Sequence, residues 1–161
     1  MPHLPRFAVG TVQSGVDSRP ILWALIEALR RDSLQVQSFL WRADFSGYRE
    51  TATVTGLNPR HLDSWLMTPE MCREVLLRGS QAADVAVVQG KFNPALDAGE
   101  AAGGSLETLC EWLDLPRLAV VDVSPVRRCL LPPRPERADG LLLDRVPEGD
   151  PAWSGKDPDH S

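Results

Sequence analysis

A loop between an apolar strand and a helix start is a common phosphate site, because its backbone amides and the helix N-terminus supply positive potential. This chain has such a loop after Phe7-Ala8-Val9-Gly10-Thr11, running Val12-Gln13-Ser14-Gly15-Val16-Asp17-Ser18-Arg19. A complete phosphate loop ends in Gly-Lys-Ser or Gly-Lys-Thr. This one ends in Asp17-Ser18-Arg19. The shortage of lysine sharpens the point: of 17 basic residues only Lys91 and Lys156 are lysines. Arg19 could meet an anion at the helix start, and Lys91 could reach one from the end of another strand. Asp122 closes an apolar run and could bind a metal, although capping the next turn is the commoner use. His61 has no Cys or His at ligand spacing and reads as a surface or packing residue. Cys72, Cys110 and Cys129 form no CxxC pair and have no positioned base, so they read as buried thiols without a nucleophilic role. Arg127-Arg128 reads as a solvated pair that could also greet an acidic ligand.

These residues need elements to position them. Ser18 and Pro20 open a helix with apolar residues Ile21, Leu22, Leu25, Ile26 and Leu29, ending at Arg30-Arg31. A strand follows over 34–40. Residues 42–67 carry turn formers and little periodicity, which predicts a long functional loop with short helical pieces. Within it, Trp65 and Met67 are expected to fill core space. Thr68-Pro69-Glu70 caps a helix that should stop at Gly79, and Ser105 caps another through Leu113. Residues 84–89, 118–122 and 140–145 read as strands, the first two apolar enough to be buried on both faces. Pro125, Pro132, Pro133 and Pro135 weaken whatever precedes the last strand.

Strand and helix alternate along the chain, which predicts an α/β domain with a mostly parallel sheet and helices on both faces. The loops after Thr11, Leu40, Gln89 and Asp122 should share one rim. With 161 residues there is room for one core. The 43% hydrophobic and 24% charged residues indicate a globular chain, and the net charge of −5 excludes a nucleic-acid-coating protein. No apolar run is long enough to span a membrane, and the N-terminus lacks the pattern of a signal peptide, so a cytoplasmic location is expected. The tail, 147–161, is rich in Pro, Gly, Asp and Ser and is expected to be disordered.

Further stretches resemble a known family. Asp44-Phe45-Ser46-Gly47-Tyr48, Ala52-Thr53, Thr55-Gly56 and His61-Leu62-Asp63-Ser64-Trp65-Leu66-Met67 are similar to the PDY…PGYH…ATG…NLDPWLM run of the cobyrinic acid a,c-diamide synthases. Val87-Val88-Gln89-Gly90 is similar to their VVEG strand end. Gly104-Ser105-Leu106 through Asp122 is similar to GSTAELA…LGLPVVLVVD, and Gly140 to Val146 to GVILNRV. The resemblance implies a three-layer P-loop-like domain over 1–146. It also implies the activity of an amidoligase of cobalamin biosynthesis, which uses ATP and Mg²⁺ to phosphorylate a corrin carboxylate before ammonia makes the amide. The family draws that ammonia from a glutaminase domain, for which this chain has no signature.

The departures from the family fall at the chemistry. Against GTxSGxGKTT, alignment on Ser14 and Gly15 makes Asp17, Ser18 and Arg19 the replacements for Gly, Lys and Thr, and alignment on Gly10 and Thr11 instead leaves one residue inserted. The family's metal-site Glu is Gln89, which holds Mg²⁺ more weakly for want of charge. Asp44 and Asp97 match family acids, with Asp97 at a longer spacing. Tyr48 is retained, and Arg49 replaces the family's His. The resemblance thus offers Asp44, Gln89 and Asp97 as catalytic candidates, and Asp44, Tyr48 and Arg49, with Arg42 and Lys91, as contacts for an acidic corrin-like molecule. Three readings stay open. One is a degenerate member that has lost ATP turnover, needs no cofactor, and serves as a binding or regulatory module beside a partner enzyme. Another is an active synthase that uses Arg19 or Lys91 and a separate glutaminase subunit. The third is a plain protein-interaction domain.

Overall fold

The computed structural model describes residues 4–13, 15–42, 47–92, 104–124 and 137–147. Ser14, Asp44, Asp97, Cys129, the Arg127-Arg128 pair, the proline-rich 125–136 stretch and the tail from 148 lie outside the described residues. The element order is β1 (Arg6–Thr11), α1 (Arg19–Arg31), β2 (Val36–Leu40), α2 (Tyr48–Thr55), β3 (Arg60–His61), α3 (Pro69–Gly79), β4 (Val85–Lys91), α4 (Leu106–Leu113), β5 (Arg117–Asp122) and β6 (Gly140–Asp144). The six strands form one sheet in the order β3-β2-β4-β1-β5-β6, and every pairing is parallel.

The strand alternation divides the core into two. Val9, Val36, Val85, Val87 and Val120 meet Leu22 and Ile26 of α1 on one face. Ala8, Phe39, Ala86 and Val88 meet Cys72 and Leu76 of α3 and Leu106, Leu109 and Cys110 of α4 on the other. Each fully buried aliphatic side chain contributes on the order of 1.5–3 kcal/mol. Two-sided burial is the expected state of a parallel sheet, and it explains the unbroken apolar runs of β4 and β5. Among the described residues no helix is long and apolar enough to cross a membrane.

The caps follow their sequence signals in part. The Thr68 and Ser105 hydroxyls accept from the Met71 and Thr108 N–H groups. Ser18 holds the N-cap position of α1 without a side-chain cap bond, and the Asp17 carboxylate takes the Arg19 N–H instead. The described part of the 42–67 stretch, from residue 47, is more ordered than a loop. It holds α2 and the two-residue β3, whose His61 pairs with Leu40.

Trp65 corrects an expectation, because it is 68% exposed rather than part of the core, beside Leu66 at 62%. The cause is Asp63. Its buried carboxylate accepts from the Trp65 and Leu66 N–H groups at 2.9 and 3.2 Å, fixing a turn that aims both side chains outward. Met67 does pack against the α3/α4 core. Cys72 and Cys110 are buried as expected, and burial pushes the Cys110 thiol up to about 11.

Gly79 ends α3 for a reason other than a left-handed cap. A Cβ there would lie 2.6 Å from Cδ of Arg60 and 2.9 Å from the ring of Phe39. Alanine normally gains about 1 kcal/mol over glycine in a helix. Overpacking costs about 1–3 kcal/mol, and Phe39 is fully buried and has nowhere to go. Gly79→Ala should therefore destabilise the fold by about 1 kcal/mol, read as a lower urea midpoint. A midpoint that rises would show that Phe39 can yield.

Candidate functional site

Parallel pairing places the carboxyl ends of β1, β2, β4 and β5 on one rim. β1 leads into α1 on one face, whereas its neighbour β4 leads toward α4 on the other. Adjacent strands whose connections leave to opposite faces open a crevice between them. A cleft of about 360 Å³ lies there, lined by Gly15 to Arg19, Leu40 to Arg42, Thr51 of α2, and Gln89, Gly90 and Lys91 at the end of β4.

The loop that enters α1 has a closed charge pair. Asp17 Oδ1 accepts from Arg19 Nε at 2.8 Å, and Oδ2 accepts from Nη2 at 2.8 Å. This fork geometry is the strongest form of an Arg–carboxylate contact. The Arg19 side chain beside it holds the Asp17 carboxyl below its ordinary range. Both side chains remain partly exposed, so the pair orients the loop more than it stabilises the fold. Gly15 takes a left-handed φ of 69°, and Gly10 sits buried inside β1. Thr11 is buried, accepts from the Gln13 N–H, and stands in register with Lys91.

The β4 wall is built from Gln89, Gly90 and Lys91. Gln89 is 7% exposed, and its Nε2 donates to Ser38 Oγ at 3.3 Å. Trp41 lies flat on Gly90, where a Cβ would come within 2.5 Å of the indole ring. The Arg42 guanidinium sits 5.4 Å from the Trp41 ring centroid, a cation–π distance. Arg19, Arg42 and Lys91 therefore border one cleft, and among the described lining residues the one carboxylate is that of Asp17.

A second knot ties the loop to β5. The Gln13 side chain donates to the Asp122 carbonyl at 2.9 Å and accepts from the Asp122 N–H at 2.7 Å. Asp122 uses Oδ1 to cap the Ser124 N–H and Oδ2 to accept from Arg145 Nη1 at 2.8 Å. Its carboxyl is held below the ordinary range, first by the Ser124 hydrogen bond and then by Arg145. Both oxygens are thus engaged in capping and pairing. Among the described residues no group of three His, Cys, Asp or Glu side chains is placed to hold a metal. Arg145 reaches Asp122 from a left-handed backbone, φ 56°.

Two further sequence candidates among the described residues, Tyr48 and Arg49, are not in the lining of the cleft. Tyr48 opens α2 and stacks on His61, with ring centroids 6.1 Å apart. Arg49 is exposed in the first turn of α2. Trp41, Thr51, Gln13 and Arg145 were not singled out from sequence. Trp41 carried a signal, an aromatic–cationic pair at a strand end, but the Gln13 clamp had none.

This arrangement defines an α/β domain with a cleft at the point where its strand order reverses. No protein-family model matches the chain. Curated relatives do. It is 30% identical over 129 residues to the cobyrinate a,c-diamide synthase of Priestia megaterium, covering 76% of this chain and 27% of the relative. It is 31% identical to that of Syntrophotalea carbinolica, covering 78% and 28%. It is 30% identical to the hydrogenobyrinate a,c-diamide synthase of Streptomyces coelicolor, covering 78% and 26%. Over this segment the chain is a relative of the cobyrinate a,c-diamide synthases, and it spans about a quarter of their length.

The Asp122 network has a pH signature. A carboxyl held below its ordinary value stabilises the fold fully above that value, and the contribution is lost as pH falls from there through the lowered folded value. Asp122→Asn should cost about 1–3 kcal/mol at pH 7 and less at a pH below the lowered folded value, where the wild-type carboxylate is itself protonated. Thermal unfolding of both proteins at the two pH values checks this. An equal loss at each would show that Asp122 acts through shape and not charge.

Proposed function

We propose that this chain is a non-hydrolysing relative of the amidoligase domain, one that binds a corrin-like polycarboxylate in the cleft and does not turn over ATP. The carrying observation is the Asp17 carboxylate, clasped by Arg19 in the lining of the cleft. The residues fit ATP with Mg²⁺ poorly. A polyphosphate entering the loop meets a fixed negative charge, and like charges repel. The lysine and hydroxyl that hold β- and γ-phosphates in a P-loop are Ser18 and Arg19, and Arg19 is committed to Asp17. The strand-end position suited to a metal-binding acid carries the neutral Gln89. Losing one preorganised group of this kind costs about 3–4 kcal/mol of transition-state stabilisation, and several are changed together.

The cations support an acidic ligand. Arg42 is held by Trp41 at the rim, and Lys91 stands at the end of the facing strand. Arg pairs with carboxylates through two parallel hydrogen bonds. A second reading, an active synthase with a separate glutaminase partner, is favoured by one observation: Lys91 borders the same cleft and could serve the transferred phosphoryl.

Isothermal titration calorimetry separates the two. The expected result is binding of cobyrinate with no heat from ATP and Mg²⁺ at millimolar concentration. Arg42→Ala should weaken cobyrinate binding about tenfold, near 1.4 kcal/mol. Micromolar ATP affinity, about −8 kcal/mol, would favour the active reading. The reversal Asp17→Gly, Ser18→Lys, Arg19→Thr should raise ATP affinity, since the backbone turn at Gly15 is in place.

A further inference from the structure

One buried polar group in the cleft has its bonding half complete. Gln89 is 93% buried, being 7% exposed, and lines the cleft at the end of β4. Its Nε2 donates to Ser38 Oγ, on a residue that is wholly buried. Among the described residues its Oε1 accepts no hydrogen bond. Native folds rarely leave a buried amide oxygen without a donor. The side chain is held at one end and offers its acceptor at the other.

The chemistry of that acceptor selects a ligand. A carboxylate has no hydrogen to give Oε1 and could meet only the second N–H of Nε2, whereas a carboxamide can meet both. A primary carboxamide donates N–H to Oε1 and turns its carbonyl toward the cationic groups of the rim. The cleft, at about 360 Å³, is at the small end of ligand sites, so it takes a side arm and not a macrocycle. We propose that Gln89 makes this cleft a reader of amidated arms, so that the chain retains a corrin-like molecule bearing carboxamides in preference to the free acid. This rests on the reading of the cleft as a corrin site, and it reverses the preference that the rim charges alone would set.

The test titrates the full chain with cobyrinate and with cobyrinate a,c-diamide, with folding of each variant checked by circular dichroism. Wild type should bind the diamide about tenfold more tightly than the acid, the effect of one well-placed hydrogen bond. Gln89→Met keeps the volume and removes the acceptor, and it should bring the two affinities together by weakening the diamide alone. Ser38→Ala releases Nε2, lets the amide turn, and should lose part of the preference. Should Gln89→Met not fold, the wild-type ratio and Ser38→Ala still decide. Acid bound as tightly as diamide by wild type would overturn the proposal while leaving the corrin reading standing. The same holds if Gln89→Met keeps the wild-type preference. Binding of neither ligand would overturn both.

Discussion

Parallel strands cannot be joined by tight turns. Each connection must cross back over the sheet, and from β1 to β5 the connections carry helices that cover both faces. This constraint sets nearly everything else. It demands strands that are apolar on both sides, as in Val85 to Val88, and small residues such as Ala8 and Ala86 where the helices come close. It also gathers every strand end onto one rim. β1 lies between β4 and β5, so the chain leaves β1 and β4 toward opposite faces, and the cleft is the gap that results. The polar chemistry is fitted into a space that backbone topology had already made.

What could be read from the sequence follows the same division. The runs Phe7 to Thr11, Leu34 to Leu40, Asp84 to Gln89 and Leu118 to Asp122 carry local signals, since two-sided burial writes itself as consecutive apolar residues. The caps at Thr68 and Ser105 are equally local. Features that depend on distant partners are not legible in this way. Trp65 looked like core because it is large and apolar, and only the Asp63 carboxylate, which takes two backbone N–H groups, turns it outward. Gly79 looked like a helix stop, and its true neighbour is Phe39, forty residues earlier. Tyr48 and Arg49 stood beside recognisable motif residues, yet neither is in the lining of the cleft. Gln89 and Lys91 were legible as the end of an apolar strand, and the parallel order sets them beside the loop that enters α1.

The rim also shows how one substitution changes the meaning of its neighbours. A glycine-bearing loop at a helix start has positive potential whatever its sequence. With Asp17 present, that potential and the Arg19 guanidinium are spent on an internal partner. Arg42 and Lys91 border the same cleft from the ends of β2 and β4.

The position of β1 has a consequence for how the molecule is made. β1 is the earliest strand in the chain, yet it pairs Arg6 with Ala86 and Ala8 with Arg117. A chain emerging in order has no partner for its central strand until β4 is out, and no second partner until β5 follows. Pairing between such distant segments is slow. Through that interval Phe7 and Val9 are uncovered, so the emerging chain passes through a stage in which an apolar strand waits unpaired, the kind of segment that holdase chaperones bind.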